Sequence, residues 1–158
     1  MNEWPYNDPS IADEDKLYRR MPHQPGCRTY DAMTDRWVPH PGGLRRLDHE
    51  GMSTHLHSIL EERQRDCASL YNGEKYGSIR FPVAVPRSAG AGVLPTAAPQ
   101  EEDPDLKAAH AEVRPPSAEL DKRFWKGVVN MIAREAEWVQ PPILGEHDRL
   151  TTSSANGH

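Results

Sequence analysis

The chain has 158 residues, 36% of them hydrophobic, with 15 prolines and a formal net charge of −5. That length suits one domain, and the low apolar share leaves part of it irregular. The acidic balance gives no bulk attraction to nucleic acid or an anionic membrane. No apolar run approaches the ~18–20 residues of a membrane span. The acidic N-terminus lacks the apolar segment of a signal peptide.

Residues 1–16 hold Glu3, Asp8, Asp13, Glu14 and Asp15 against Lys16 alone. With Pro5 and Pro9 blocking helix, they are expected as an acidic N-terminal arm. Leu17-Tyr18-Arg19-Arg20-Met21 alternates and predicts a first strand. Cys27–Asp31 and Arg36–Val38, separated by Ala32–Asp35, predict a hairpin. The segment from Pro39 to Gly51, rich in Pro, Gly, His and Arg, is expected as a loop. Ser53 is then read as an N-cap for a helix running to Tyr71, with Leu56, Ile59, Leu60, Cys67 and Leu70 as its apolar stripe.

From Ser78 to Val85 the pattern alternates again, with Ile79, Phe81, Val83 and Val85 on one face. Pro82 cannot donate a ladder hydrogen bond, which predicts an edge strand. Residues 86–105 combine Pro, Ala and Gly with Glu101-Glu102-Asp103 and are expected as a flexible loop. Residues 108–114 predict a short strand. After Pro115-Pro116 an amphipathic helix from Ser117 to Val139 is expected, carrying Leu120, Phe124, Val128, Met131 and Ile132 inward. Residues 143–158 read as a disordered tail. The expectation is a single α+β domain over 17–142: a small, mostly antiparallel sheet with two amphipathic helices on one face.

On the strand 108–114, His110 and Glu112 are two apart and so point to the same side, away from Ala109, Ala111 and Val113. A histidine beside a carboxylate is a candidate proton-transfer pair, and the competing reading is an ordinary wet strand face. Arg19, Arg20, Arg45 and Arg46 are candidate phosphate ligands, because the guanidinium fork suits phosphate geometry. Alternation is expected to send Arg19 and Arg20 to opposite faces, and no Gly-rich phosphate cradle occurs. His49, His55, His57 and Cys67 invite a metal reading. On a helix, however, His55 and His57 diverge; they converge only if Met52–His57 is extended. No metal or cofactor is therefore expected. No nucleophile motif occurs. Cys27 and Cys67 make no disulfide framework, which points to a reducing, cytoplasmic setting.

Leu17-Tyr18-Arg19-Arg20, Gly51-Met52-Ser53, Ala109-His110-Ala111-Glu112-Val113 and Trp138-Val139 together resemble a group of short bacterial and phage proteins. Their pattern is Leu-Tyr-Arg-Arg, then Gly-Leu-Ser, then Ala-His-Ala-x-Val before a final helix. The resemblance spans residues 17–139, and Met52 stands where that group has leucine. No activity is established for the group, so the resemblance implies no reaction. The leading functional expectation is a small accessory protein that binds a protein partner. One alternative is a small enzyme acting on a nucleotide or nucleic-acid phosphate through His110, Glu112, Arg19 and Arg20. Another is a nucleic-acid-binding module built on the basic segment 17–46.

Overall fold

The structure, a computed structural model, describes residues 4–22, 27–44, 51–66, 71, 75–119 and 121–140. Among these, six strands form one sheet in the order β6-β7-β4-β1-β5-β8: β1 Lys16–Pro22, β4 Met52–Leu56, β5 Tyr76–Pro82, β6 Gly92–Pro95, β7 His110–Arg114 and β8 Glu137–Gln140. Every pairing in it is antiparallel. A separate hairpin joins β2 Arg28–Asp31 to β3 Arg36–Pro39, at the place the sequence predicts. Its turn is fixed by Asp31, whose carboxylate accepts from the Met33 amide and the Thr34 hydroxyl, and by Asp35 in the left-handed region. The fold is α+β.

One face of the sheet carries Leu17, Met21, Met52, Leu56, Ile79, Phe81, Ala111 and Val113. Against it packs α4, Lys122–Glu135, through Trp125, Val128, Val129, Ile132 and Ala133. Asp121 caps this helix by accepting from the Arg123 and Phe124 amides. The helix is shorter than expected at both ends: Trp138 and Val139 lie in β8, and the buried stripe is centred on Trp125 rather than Phe124. A short α2, Ala84–Ser88, packs beside it. The opposite face holds a smaller cluster of Tyr18, Leu60, Tyr71, Leu106 and Ala109 under α1, His57–Glu62, and α3, Pro104–Ala109.

Three segments differ from expectation. The helix expected from Ser53 begins only at His57; Met52–Leu56 is a strand. Met52, Thr54 and Leu56 alternate with Ser53 and His55, and that period-2 pattern prevails once β7 is available for pairing. Pro82 ends β5 and so interrupts no ladder, which lets β5 lie inside the sheet between β1 and β8. Within 86–105, Gly92–Pro95 is the edge strand β6, paired to β7, and not a structureless linker. Residues 143–158 and the loop arginines Arg45 and Arg46 lie outside the described residues.

The acidic arm is docked. Asp8 donates its amide to the Val93 carbonyl at 2.8 Å, and Ile11 is buried. Arg87 reaches back to the Asp8 and Ile11 carbonyls and the Asp13 carboxylate. Among the described residues no helix is long and apolar enough to cross a membrane.

Candidate functional site: a wedge between two diverging strands

β1 and β4 pair over only two positions, Leu17↔Leu56 and Tyr18↔His55. Beyond them the strands separate: β1 continues along β5 to Pro22, while β4 continues along β7 to Met52. The separation opens a cavity of about 530 Å³ in the middle of the sheet. Residues just past the split, Arg19 and Arg20 on β1 and Ser53 on β4, line it together with His55, His110, Tyr71, Tyr76 and Glu101. Arg19 and Arg20 leave opposite faces of β1, as alternation demands. Both reach the cavity because a wedge between strands is open to side chains from either face. Arg19 also spans the gap, donating from Nη1 to the Ser53 carbonyl at 2.9 Å.

Arg20 is held from two directions. Its guanidinium lies 4.7 Å from the Tyr71 ring centroid and 5.8 Å from that of Tyr76, and its Nη2 is 3.3 Å from Glu101 Oε1. Stacking on aromatic faces is a favourable setting for a guanidinium, which keeps its charge there.

Glu101 also meets His55, whose Nε2 lies 3.3 Å from Oε2. Hydrogen bonding from His55, and then the charge of Arg20, hold the Glu101 carboxyl below the usual carboxylate range. The His55 Nδ1 is 2.6 Å from the Tyr71 hydroxyl. A carboxylate can only accept, so the His55 proton sits on Nε2 and Nδ1 accepts from Tyr71. Burial pushes the Tyr71 phenol up, which keeps it a donor. Burial, aided by the charge of Arg20, pushes His55 below the ordinary histidine value despite Glu101. The ring is therefore neutral near pH 7, with both nitrogens used.

His110 faces His55 across a register pair, with ring centroids 5.7 Å apart in an edge-on arrangement. Its Nδ1 meets Thr96, at 2.8 Å from the hydroxyl and 3.3 Å from the carbonyl. The carbonyl can only accept, so Nδ1 carries the proton. Nε2 then keeps its lone pair and has no protein partner among the described residues. This atom can take a proton from a bound molecule.

The loop that completes the site, Thr96 to Glu101, is fixed at both ends. Thr96 donates its amide to the His110 carbonyl. Just past Glu101, Asp103 and Asp105 pair with Arg65, and Asp105 also with Arg63.

Glu112 does not line this cavity. It pairs with Arg114 at 3.0 Å in a buried ion pair, which Trp4 and Pro5 of the arm cover. The strand face carrying His110 and Glu112 is thus a second interior rather than a wet surface, and each residue has a different partner. His57 begins α1 and bonds Tyr18 and Glu61, away from the cavity. His49 and Cys67 lie outside the described residues. Among the described residues no group of three or more His, Cys, Asp or Glu is placed to hold a metal ion.

Ser53, Tyr71, Tyr76 and Glu101 are not among the candidate site residues of the sequence. The signal that finds Ser53 and His55 is the alternation of Met52–Leu56, which puts both on the side of β4 that β7 extends with His110. Glu101 sits in an acidic run whose composition gives it no distinction.

No family model, no curated protein and no solved structure matches this chain.

Proposed function

We propose that this chain binds a phosphate ester of the nucleotide class in the wedge cavity and moves a proton on it through His110. One observation carries the reading: Arg19, Arg20 and His110, distant in sequence, line the same cavity. Guanidinium forks bind phosphate oxygens bidentately. The His110 Nε2 is available as a base, on a ring whose orientation Thr96 fixes. The cavity volume falls within the ~300–1,000 Å³ of small-ligand sites. Glu101 adds an acceptor for a ligand hydroxyl or ring N–H, as a sugar or base would present. Glu112, bound to Arg114, has no part in this reading.

A protein-partner role has less behind it. Met33 at the hairpin tip is exposed, but a single apolar side chain makes no docking face.

The test is calorimetric titration of the full chain with the common nucleoside phosphates, followed by phosphorus NMR for turnover. Arg20→Gln is expected to weaken binding by about tenfold or more, the loss typical of a charge-assisted bidentate contact. His110→Ala is expected to keep binding and abolish turnover. Failure of every nucleotide to bind, or equal binding by Arg20→Gln, overturns the reading.

A further inference from the structure

Resting on that reading, we infer that the wedge cavity takes a ribonucleotide with its phosphate and a free hydroxyl on neighbouring sugar carbons, and that Glu101 is the residue that reads the hydroxyl. Arg20 and Glu101 carry the inference, because they line the cavity in contact with each other. The Arg20 guanidinium is a rigid fork of N–H donors. Among the described residues its hydrogen-bond partner is Glu101, which Nη2 meets at 3.3 Å. The rings of Tyr71 and Tyr76 lie against it and hold it in place. The side chain is 37% exposed, so its other N–H groups can meet a phosphate oxygen.

Glu101 is fixed from two sides. Arg20 meets its Oε1, and His55 Nε2 donates to its Oε2. Behind His55 the Tyr71 hydroxyl donates to Nδ1, so this run of hydrogen bonds points toward the carboxylate. Both contacts of Glu101 are 3.3 Å long, against about 2.7–2.9 Å for a tight charge-assisted bond, and each oxygen keeps a further lone pair. A carboxylate accepts and cannot donate, so it attracts a ligand hydroxyl and repels a phosphate oxygen. A ligand that satisfies Arg20 and Glu101 together must present an acceptor and a donor side by side.

In a nucleotide that pair is a phosphate and the hydroxyl on the next carbon, as in a ribonucleoside 3′-phosphate with its 2′-hydroxyl. A 5′-phosphate has no hydroxyl on the adjacent carbon, and a base N–H lies further off, beyond C1′. The ligand meant here is a mononucleotide. The chain as a whole is acidic, with a formal net charge of −5, and so gives a nucleic-acid polyanion no general attraction.

The experiment compares each common ribonucleoside 3′-monophosphate with its 2′-deoxy counterpart and with the 5′-monophosphate, by calorimetry on the full chain. It is run at about pH 8, where the phosphate is doubly ionised and has no hydroxyl of its own to donate. The wild-type chain is expected to bind the ribonucleoside 3′-phosphate about tenfold or more tightly than the deoxy compound, the worth of one hydrogen bond to a charged group. Glu101→Gln leaves only a neutral acceptor and is expected to reduce that ratio to about threefold or less. A ratio of two ligands on one chain cancels any general weakening of the fold. Equal binding of the ribo and deoxy compounds by the wild-type chain overturns the inference and leaves the nucleotide reading standing. An unchanged ratio in Glu101→Gln overturns the role given to Glu101. A 5′-phosphate bound as tightly as the 3′-phosphate overturns the neighbouring-carbon geometry. Binding of no nucleotide removes the nucleotide reading itself. A single-stranded oligoribonucleotide that outcompetes the 3′-phosphate by about a hundredfold, the excess that several added phosphate contacts would bring, overturns the assignment to a mononucleotide.

Discussion

His55 donates from Nε2 to Glu101 and accepts at Nδ1 from Tyr71, so a proton added to the ring goes to Nδ1 and turns the Tyr71 hydroxyl from donor to acceptor. Burial sets its folded pKa below the ordinary 6.5. The unfolded chain therefore binds a proton at His55 more readily than the folded one, and folding is favoured as pH rises. That contribution is complete above the unfolded value and is lost as pH falls below about 6.5 toward the folded value. Glu101, whose folded pKa is also lowered, adds a loss in the same direction at lower pH, below its ordinary 4.5. The wild-type melting temperature should thus drop between neutral pH and the lower edge of histidine titration, and His55→Gln should drop less over that window. A His55→Gln chain with the same pH slope would refute this placement of the ring. Glu112 gives a contrasting case at the same scale. Its partner Arg114 is itself buried, so Glu112→Ala takes a counter-charge away from a guanidinium in the interior. A loss of about 3–5 kcal/mol is expected in chemical denaturation. His110→Ala, whose Nε2 has no protein partner among the described residues, should cost far less. Equal losses would mean that both residues serve only the fold.

Helix α4 shows what sequence periodicity can and cannot settle. The existence of an amphipathic helix is legible from residues 117–139, but its ends are not, since it runs only over Lys122–Glu135 and Glu137–Gln140 is a strand. Its rotation is not legible either, because Phe124 and Trp125 are adjacent aromatics and either can lead the stripe. Packing decides: Trp125 is buried against the sheet, and Phe124 is half-buried over Gly90. Trp125→Ala should cost about 3–5 kcal/mol. Phe124→Ala should cost clearly less, and the reverse order in urea denaturation would show the helix turned about its axis. The segment from Ser53 to Tyr71 is ambiguous for a related reason. Leu56, Ile59 and Leu60 fit a helix, while Met52, Thr54 and Leu56 fit a strand, and Leu56 belongs to both patterns. Only β7, more than fifty residues later in the chain, breaks the tie through pairing. The site inherits that ambiguity: His55 lines the wedge only because β4 is extended. The strands that carry Arg19, Arg20 and His110 are legible because they alternate without a competitor; that all three side chains reach one cavity is not, because alternation sends Arg19 and Arg20 to opposite faces. Glu101 is not legible either, since what fixes it is Thr96 on one side and Arg65 on the other.

At the scale of the whole molecule, the acidic arm closes the edge of the sheet that carries the site's far wall. Trp4 donates its indole N–H to the Pro115 carbonyl, Pro5 accepts from Arg114, and Asp8 bonds β6. The contact needs Gly92: a Cβ there would overlap the Tyr6 carbonyl and the Asn7 side chain. It also needs Arg87, whose guanidinium binds Asn7, Asp8, Ile11 and Asp13 at once. Gly92→Ala should therefore push the arm off β6 at a cost of about 1–3 kcal/mol, the usual price of forced overlap in a packed interior. Arg87→Ala should release the same segment by removing its anchor. Because each substitution dislodges one shared unit, their effects should not add: the double variant should lose clearly less than the sum of the two single losses. Chemical denaturation of the four chains measures this, and protease cleavage confined to residues 4–15 in each variant would report the released arm. Full additivity, with the arm still protected, would mean that Gly92 and Arg87 stabilise the fold separately and that the arm is held by its other contacts.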